Sequence, residues 1–314
     1  MKRFFKNILL FFIPFLIGII AVFLASYPKE FAYGYRNNVD CNTSWIYYRL
    51  FENATPIDIA FLGTSHTGCG INDSLIETTL VNDYAFNKKV ANLAYCTNGR
   101  NIQYPLMEDL LTTKNPEIVI IEVTEDESTN SHQDFPYLAD LKDVFQPSFN
   151  FAFINDSYVA FSSRFMFTRK RMTKTLEVKT PDNKMNNYSY VPFHFFADKE
   201  ALKNHQKNQV NRHKKNKIDF LREMKVSYPK KYLQKIIDLT VNKNIKVIFL
   251  YLPSYGSTLK EPLEYHFYKE FGEVWIPPDS IFTNTENWVD GEHLNANGSS
   301  ELAAWVTKKI ATLH

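Results

Sequence analysis

Ser65, Asp290 and His293 are the side chains of this sequence whose types and settings suit nucleophilic catalysis. Ser65 stands in a sharp turn, Gly63-Thr64-Ser65-His66-Thr67-Gly68, directly after the apolar run Ile59-Ala60-Phe61-Leu62. A serine hydroxyl attacks a carbonyl carbon only when a base removes its proton. Near the other end of the chain, Asn287-Trp288-Val289-Asp290-Gly291-Glu292-His293-Leu294-Asn295 places a carboxylate and an imidazole three positions apart, before a helix rather than within one. Such an imidazole takes the serine proton and returns it to the leaving group, while a carboxylate on its other nitrogen fixes the tautomer. Each half has a plainer reading as well. Serine at such a turn commonly caps the following helix, and Asp-Gly followed by a histidine is an ordinary surface turn.

Competing glycine motifs fail residue by residue. A phosphate-cradling loop needs Gly-Lys-Ser/Thr, but Gly68 is followed by Cys69 and Gly70. The turn has no GxGxxG dinucleotide fingerprint, and the GxSxG elbow needs glycine where Thr67 stands. What remains is a strand, then Gly-x-Ser, then a helix that begins at the serine. Apolar runs expected as strands lie at 58–63, 89–95, 117–124 and 245–252, with a short one at 273–276. Helical patterns fall between them at about 73–81, 101–113, 229–243, 259–271 and 299–313. Continuous Val/Ile/Leu strands separated by amphipathic helices imply a parallel sheet covered on both faces. Right-handed crossovers then give a doubly wound, flavodoxin-like α/β fold. A serine at the carboxyl end of such a strand sits where these sheets bind ligands.

Strand, Gly-x-Ser and helix at one end, with Asp-x-x-His-Leu-Asn before the last helix at the other, resemble the first and last blocks of the SGNH (GDSL-like) hydrolase superfamily. The resemblance covers the chain from about Asp58 to its end, apart from an interruption at about 126–228. Thr64 stands where the family usually has aspartate. The resemblance implies an SGNH-type fold, Ser65 as nucleophile, His293 as base and Asp290 as the acid that orients it. It matches the family's second block, a glycine after the next strand, to Cys96-Thr97-Asn98-Gly99-Arg100. The N–H groups of Ser65 and Gly99 would then face the developing oxyanion. The same Asn-Gly pair also suits a left-handed turn whatever the function. The third block, Gly-x-Asn-Asp, is missing, because Glu122-Val123-Thr124-Glu125-Asp126 follows the third strand and offers no asparagine amide. Losing one such donor costs on the order of a hundredfold or more in turnover. Either Asn98 or Thr124 substitutes, or the site is weak or inert.

The 314 residues, 45% of them hydrophobic, suffice for one large α/β domain plus an insertion. A formal net charge of +2 gives no nucleic-acid signal. Three cysteines without a CxxC or HExxH pair argue against a metal centre, and no cofactor is expected. At the N-terminus, Lys2, Arg3 and Lys6 precede an uncharged apolar run, Ile8 to Ser26, interrupted only by Pro14 and Gly18. Its length suits a bilayer's ~30 Å hydrocarbon core. The flanking cations place the N-terminus in the cytoplasm, and the run lacks the small residues of a good signal-peptide cleavage register. The expected organisation is a cytoplasmic tip and transmembrane helix at 1–28, a juxtamembrane stalk at 29–56 carrying Tyr33, Tyr35, Tyr47 and Tyr48, and an outward-facing domain at 57–314. Cys41 lies in that stalk, while Cys69 and Cys96 each follow a strand end, so a bridge between the latter two and a pair of free buried thiols both fit. The stretch 126–228, first aromatic and then basic, is too long for a structureless loop and reads as a helical insertion or lid. Its basic run, Lys203, Lys207, Arg212, His213, Lys214, Lys215 and Lys217, suits a solvated helix face, or contact with anionic headgroups or an anionic polymer.

An anchored domain of this kind, with an aromatic insertion and a degraded third block, resembles the acyl-transfer partners of membrane-bound O-acyltransferases. That group includes the D-alanyl-transfer protein of lipoteichoic-acid synthesis and the acetyltransferases of exported polysaccharides. The resemblance implies transfer of an acyl group, acetyl or similar, through a Ser65 ester to a hydroxyl of a cell-surface or exported glycan or polyol. It places the domain outside the cytoplasm in a bacterial cell envelope, with the membrane and a multi-spanning O-acyltransferase as partners. A lid over the site would exclude water from the acyl-enzyme. The alternatives are a surface esterase acting on carbohydrates or lipids, and an inert subunit that docks a membrane acyltransferase.

Overall fold

Five short apolar runs pair side by side as parallel strands: β1 (Ile59–Leu62), β2 (Val90–Asn92), β3 (Ile118–Val123), β4 (Lys246–Tyr251) and β5 (Glu273–Trp275). The computed structural model describes residues 2–24, 28–34, 43–147, 151–173, 186–218 and 221–313. Strand order is β2-β1-β3-β4-β5. This is the doubly wound order in which ligands gather beyond the carboxyl ends of β1 and β3, where the winding reverses. The register sets Leu62 beside Ile121, so the residues that follow, Gly63 and Glu122, emerge together at that point.

Alternate strand residues serve two cores, as a pleated strand requires. Ala60, Leu62, Val119, Ile121 and Phe249 point to one face, where they meet Leu106, Met107 and Leu110 of the helix Gln103–Thr113 and Leu233 and Ile236 of the helix Arg222–Asp238. Ile59, Phe61, Ile120, Ile248 and Leu250 point to the other, covered by Ile76 and Leu80 of Asp73–Tyr84 and Leu302, Val306 and Ile310 of Ala296–Ala311. Burying each such side chain contributes about 1.5–3 kcal/mol, so two filled faces hold the strand ends rigidly. Two helix expectations shift. Pro229 lies inside Arg222–Asp238 rather than starting a helix. The helix expected at 259–271 shrinks to Tyr265–Lys269, which ends shortly before Gly272.

The N-terminal expectation is overturned. Among the described residues no helix is long and apolar enough to cross a membrane, so the transmembrane helix expected at 1–28 falls, and with it the single-span organisation. The run does form a helix, Lys2–Leu24, but Pro14 lies inside it and it contacts the helix Ala152–Met172 of the same chain. The stalk also proves to be core. Phe31, Tyr33, Trp45, Ile46 and Leu50 are buried, and Tyr33 donates its hydroxyl to Asp109 at 2.9 Å. Large aromatic rings fill a protein core as readily as a lipid interface. Tyr35 and Cys41 lie outside the described residues.

The stretch 126–228 carries helices at Phe135–Leu138, Leu141–Val144, Ala152–Met172 and Lys199–Ile218, and the start of Arg222–Asp238. Between them an extended strap crosses the β2 edge, where Ser189 donates its hydroxyl to Asn92 O at 2.8 Å. Of the basic run, the side chains of His213, Lys214, Lys215 and Lys217 lie outside the described residues. Cys69 is a free thiol and Cys96 is engaged in a disulfide, so the Cys69–Cys96 bridge does not form.

Candidate active site

Ser65 opens the helix Ser65–Gly70, whose N-cap is Thr64. Six residues cannot hold a helix by themselves, and this one is clamped at both ends by buried side chains from the sheet. At its start, Glu122 accepts from Thr64 N at 2.7 Å, Thr67 N at 3.0 Å, and the Thr64 and Thr67 hydroxyls at 2.8 and 2.5 Å. At its end, Asn92 donates to Thr67 O at 3.0 Å and Ile71 O at 2.8 Å. Gly63 is obligatory because a Cβ there would collide with Thr67 Oγ1 and the Glu122 carboxylate. Thr64, where the resemblance leads one to expect aspartate, is therefore a capping residue held by Glu122.

Across the cleft, the loop from Trp288 to Leu294 closes on itself through an antiparallel bridge between those two residues. Asp290 Oδ1 accepts from the backbone N–H groups of Glu292 at 2.7 Å and His293 at 2.9 Å. The same carboxylate lies 2.9 Å, through Oδ2, from His293 Nδ1. His293 Nε2 lies 2.8 Å from Ser65 Oγ, joining residues 228 positions apart. The tautomer that satisfies both contacts carries its proton on Nδ1 and leaves Nε2 to accept from the serine. Burial alone would raise the Asp290 pKa, but the hydrogen bonds from His293 and the two N–H groups bring it down to about 2. Asp290 is thus ionised wherever the histidine has work to do.

A cavity of about 700 Å³ opens over Ser65 and His293, and Asn98 and Gly99 line it from the turn after β2. That turn is strained: Thr97 has φ +68° and Gly99 φ +143°. A Cβ on Gly99 would meet His132 N at 2.5 Å, so only glycine lets the insertion pack here. His132 in turn sits 2.7 Å, through Nε2, from the Thr97 hydroxyl. Of the two expected substitutes for the missing asparagine, Thr124 donates its hydroxyl to Asp126 O at 3.1 Å, while Asn98 stays on the cavity wall. Asn130, which also lines the cavity, was not anticipated. Beneath the floor, Arg100 forks onto Glu127 at 2.6 and 3.2 Å and donates to Glu122 O at 2.9 Å. The insertion supplies the far wall through Arg212, Arg222 and Lys225.

Sequence reasoning named the three residues that meet at the cleft but missed what holds them. Glu122 was a detectable signal, being a carboxylate inside the otherwise apolar run Ile118–Val123. Nothing in the sequence marked Asn92, Ser254, His205 or the pairing of His66 with Glu292.

No family model matches the chain, and no curated relative matches it. A solved structure from Streptococcus pneumonia, provisionally described as a platelet activating factor, aligns with 86% of this chain and 92% of its own at 11% identity and a TM-score of 0.32. A likeness that low assigns neither activity nor substrate.

Proposed function

We propose that this chain is a serine enzyme that takes an acyl group on Ser65 as an ester and passes it to a hydroxyl acceptor, a glycan or polyol. The observation that carries the reading is the 2.8 Å contact between Ser65 Oγ and His293 Nε2, with Asp290 on the opposite ring nitrogen. Ser65 Oγ attacks the acyl carbonyl carbon as its proton passes to His293 Nε2. The leaving group departs with that proton when the tetrahedral adduct collapses to the ester. An acceptor hydroxyl then gives its proton to Nε2, attacks the ester carbonyl, and Ser65 leaves and regains the proton. In this reading the N–H groups of Ser65 and Gly99, with the Asn98 amide, receive the oxyanion. The disulfide at Cys96 supports work in an oxidising compartment, outside the cytoplasm. The membrane-bound O-acyltransferase as donor rests on the family resemblance alone.

The test has two steps. A fluorophosphonate probe should label the wild type and leave Ser65→Ala and His293→Ala unlabelled. A short acyl ester offered with glycerol or a saccharide should then yield acylated acceptor in excess of free acid. Free acid alone would reassign the protein as an esterase, and no labelling of the wild type would leave an inert docking subunit.

A further inference from the structure

Beside Ser65 lies a second imidazole–carboxylate pair that the reaction above does not use. His66 Nε2 is 3.1 Å from Glu292 Oε2, and Ser254 donates its hydroxyl to the same oxygen at 2.6 Å. The other oxygen, Oε1, faces the helix Lys199–Ile218, with Gln209 Nε2 at 3.4 Å and His205 Nε2 at 3.5 Å. Gly291 lies so close beneath the His205 ring that a Cβ there would collide with it. One carboxylate on the loop of Asp290 and His293 therefore touches the serine helix, the turn after β4 and the insertion.

We propose that the His66–Glu292 pair is a latch that holds the Asp290–His293 loop in register with Ser65 and makes that register depend on the seating of the insertion helix against Glu292. The inference rests on the acyl-enzyme reading of Ser65. His66, Glu292 and His205 act in it as positioning residues. Glu292 immediately precedes His293, so movement of its side chain drags the imidazole, and a displacement of about 1 Å costs about a hundredfold in rate. The titratable groups facing His66 are Glu292 in contact, Glu122 on β3, Glu125 just beyond it, and the His293 ring with its centroid at 5.8 Å. Those facing Glu292 are His66 and His205. Burial alone would lower the His66 pKa, but Glu292, with Glu122 and Glu125, raises it to about 9. Glu292 is brought down to about 2 against its own burial by His66, Ser254 and His205. At neutral pH the latch is an imidazolium on a carboxylate.

The test is the second-order rate of Ser65 labelling by a fluorophosphonate, followed from mildly acidic to strongly alkaline pH on the full chain. The wild-type rate should fall as pH passes about 9, where the latch loses its charge. Glu292→Gln should lower the rate by about tenfold to a hundredfold and abolish the alkaline fall, because no charge pair is left for alkaline pH to break. His66→Asn should lower the rate and abolish that fall. His205→Asn, read from the insertion side, should lose less and keep the alkaline fall. A purely structural role would depress melting temperature without moving the alkaline limb. Should Glu292→Gln fail to fold, the two histidine variants decide. Wild-type rates and unshifted limbs in the folded variants reject the latch alone. Absence of Ser65 labelling in the wild type at every pH rejects the acyl-enzyme reading, and the latch with it.

Discussion

Two imidazole–carboxylate pairs lie beside Ser65, and they are built for different work. His293 and Asp290 sit on a single tight loop with side chains 28% and 53% exposed, and the free ring nitrogen faces the serine at 2.8 Å. His66 and Glu292 come from opposite ends of the chain, and His66 is only 13% exposed among carboxylates that keep it protonated up to about 9. A histidine that stays charged at neutral pH cannot accept the serine proton, even though His66 is the neighbour of Ser65 in sequence. Burial among carboxylates fixes the charge of one imidazole, while the other is held by Asp290 with its second ring nitrogen on the serine hydroxyl. Base and latch are thus divided by surroundings rather than by residue type.

The largest effect expected is at the serine. Ser65→Ala and His293→Ala should each cut ester turnover by about 10⁴-fold or more, measured as kcat on a short acyl ester. An equal loss in His66→Ala would erase the distinction between the two pairs. Asp290→Asn comes next, with a loss of about 10³- to 10⁴-fold from the wrong tautomer, a little less than at Ser65 itself. A loss under tenfold would mean that the half-exposed carboxylate does not set the His293 tautomer.

How far the sequence carried this division follows from the distance between the residues involved. The Asp-x-x-His spacing and the Gly-x-Ser turn are local, so their chemistry was legible before any fold was known. The sheet was legible for the same reason, since each strand is a short, continuous apolar run. The sequence alone assigns Glu292 no role, because its partners His66, Ser254 and His205 are brought to it by three other elements. The N-terminal run misled for a related reason. Apolar length resembles a span, and only packing shows that Tyr33 and Trp45 beyond it belong to the core.

Smaller effects sharpen the contrast further. Glu122→Gln leaves a single oxygen where four hydrogen bonds converged, and should destabilise the fold by about 1–3 kcal/mol in urea denaturation, with slower labelling of Ser65. Unchanged stability would show that the serine turn holds without its clamp. A further effect is the pH dependence of stability. The His66 pKa is raised from 6.5 to about 9, so its contribution is complete below 6.5 and disappears as pH rises through about 9. Asp290 and Glu292 are lowered from 3.8 and 4.5 to about 2, so theirs is complete above about 4.5 and disappears as pH falls through about 2. Melting temperature should therefore be highest in mildly acidic buffer and decline on the alkaline side. In His66→Asn the alkaline decline should flatten while the acid limb contributed by Asp290 persists.

Whether Ser65 carries the acyl group is decided at the acyl-enzyme itself. The full chain is mixed with an activated acetyl ester, quenched in acid within the first turnover, digested and mapped by mass spectrometry. One acetyl group is expected on the peptide containing Ser65, absent from Ser65→Ala and strongly reduced in His293→Ala. Turnover of the ester with no adduct on that peptide, or with the adduct on another residue and unchanged in Ser65→Ala, would contradict it.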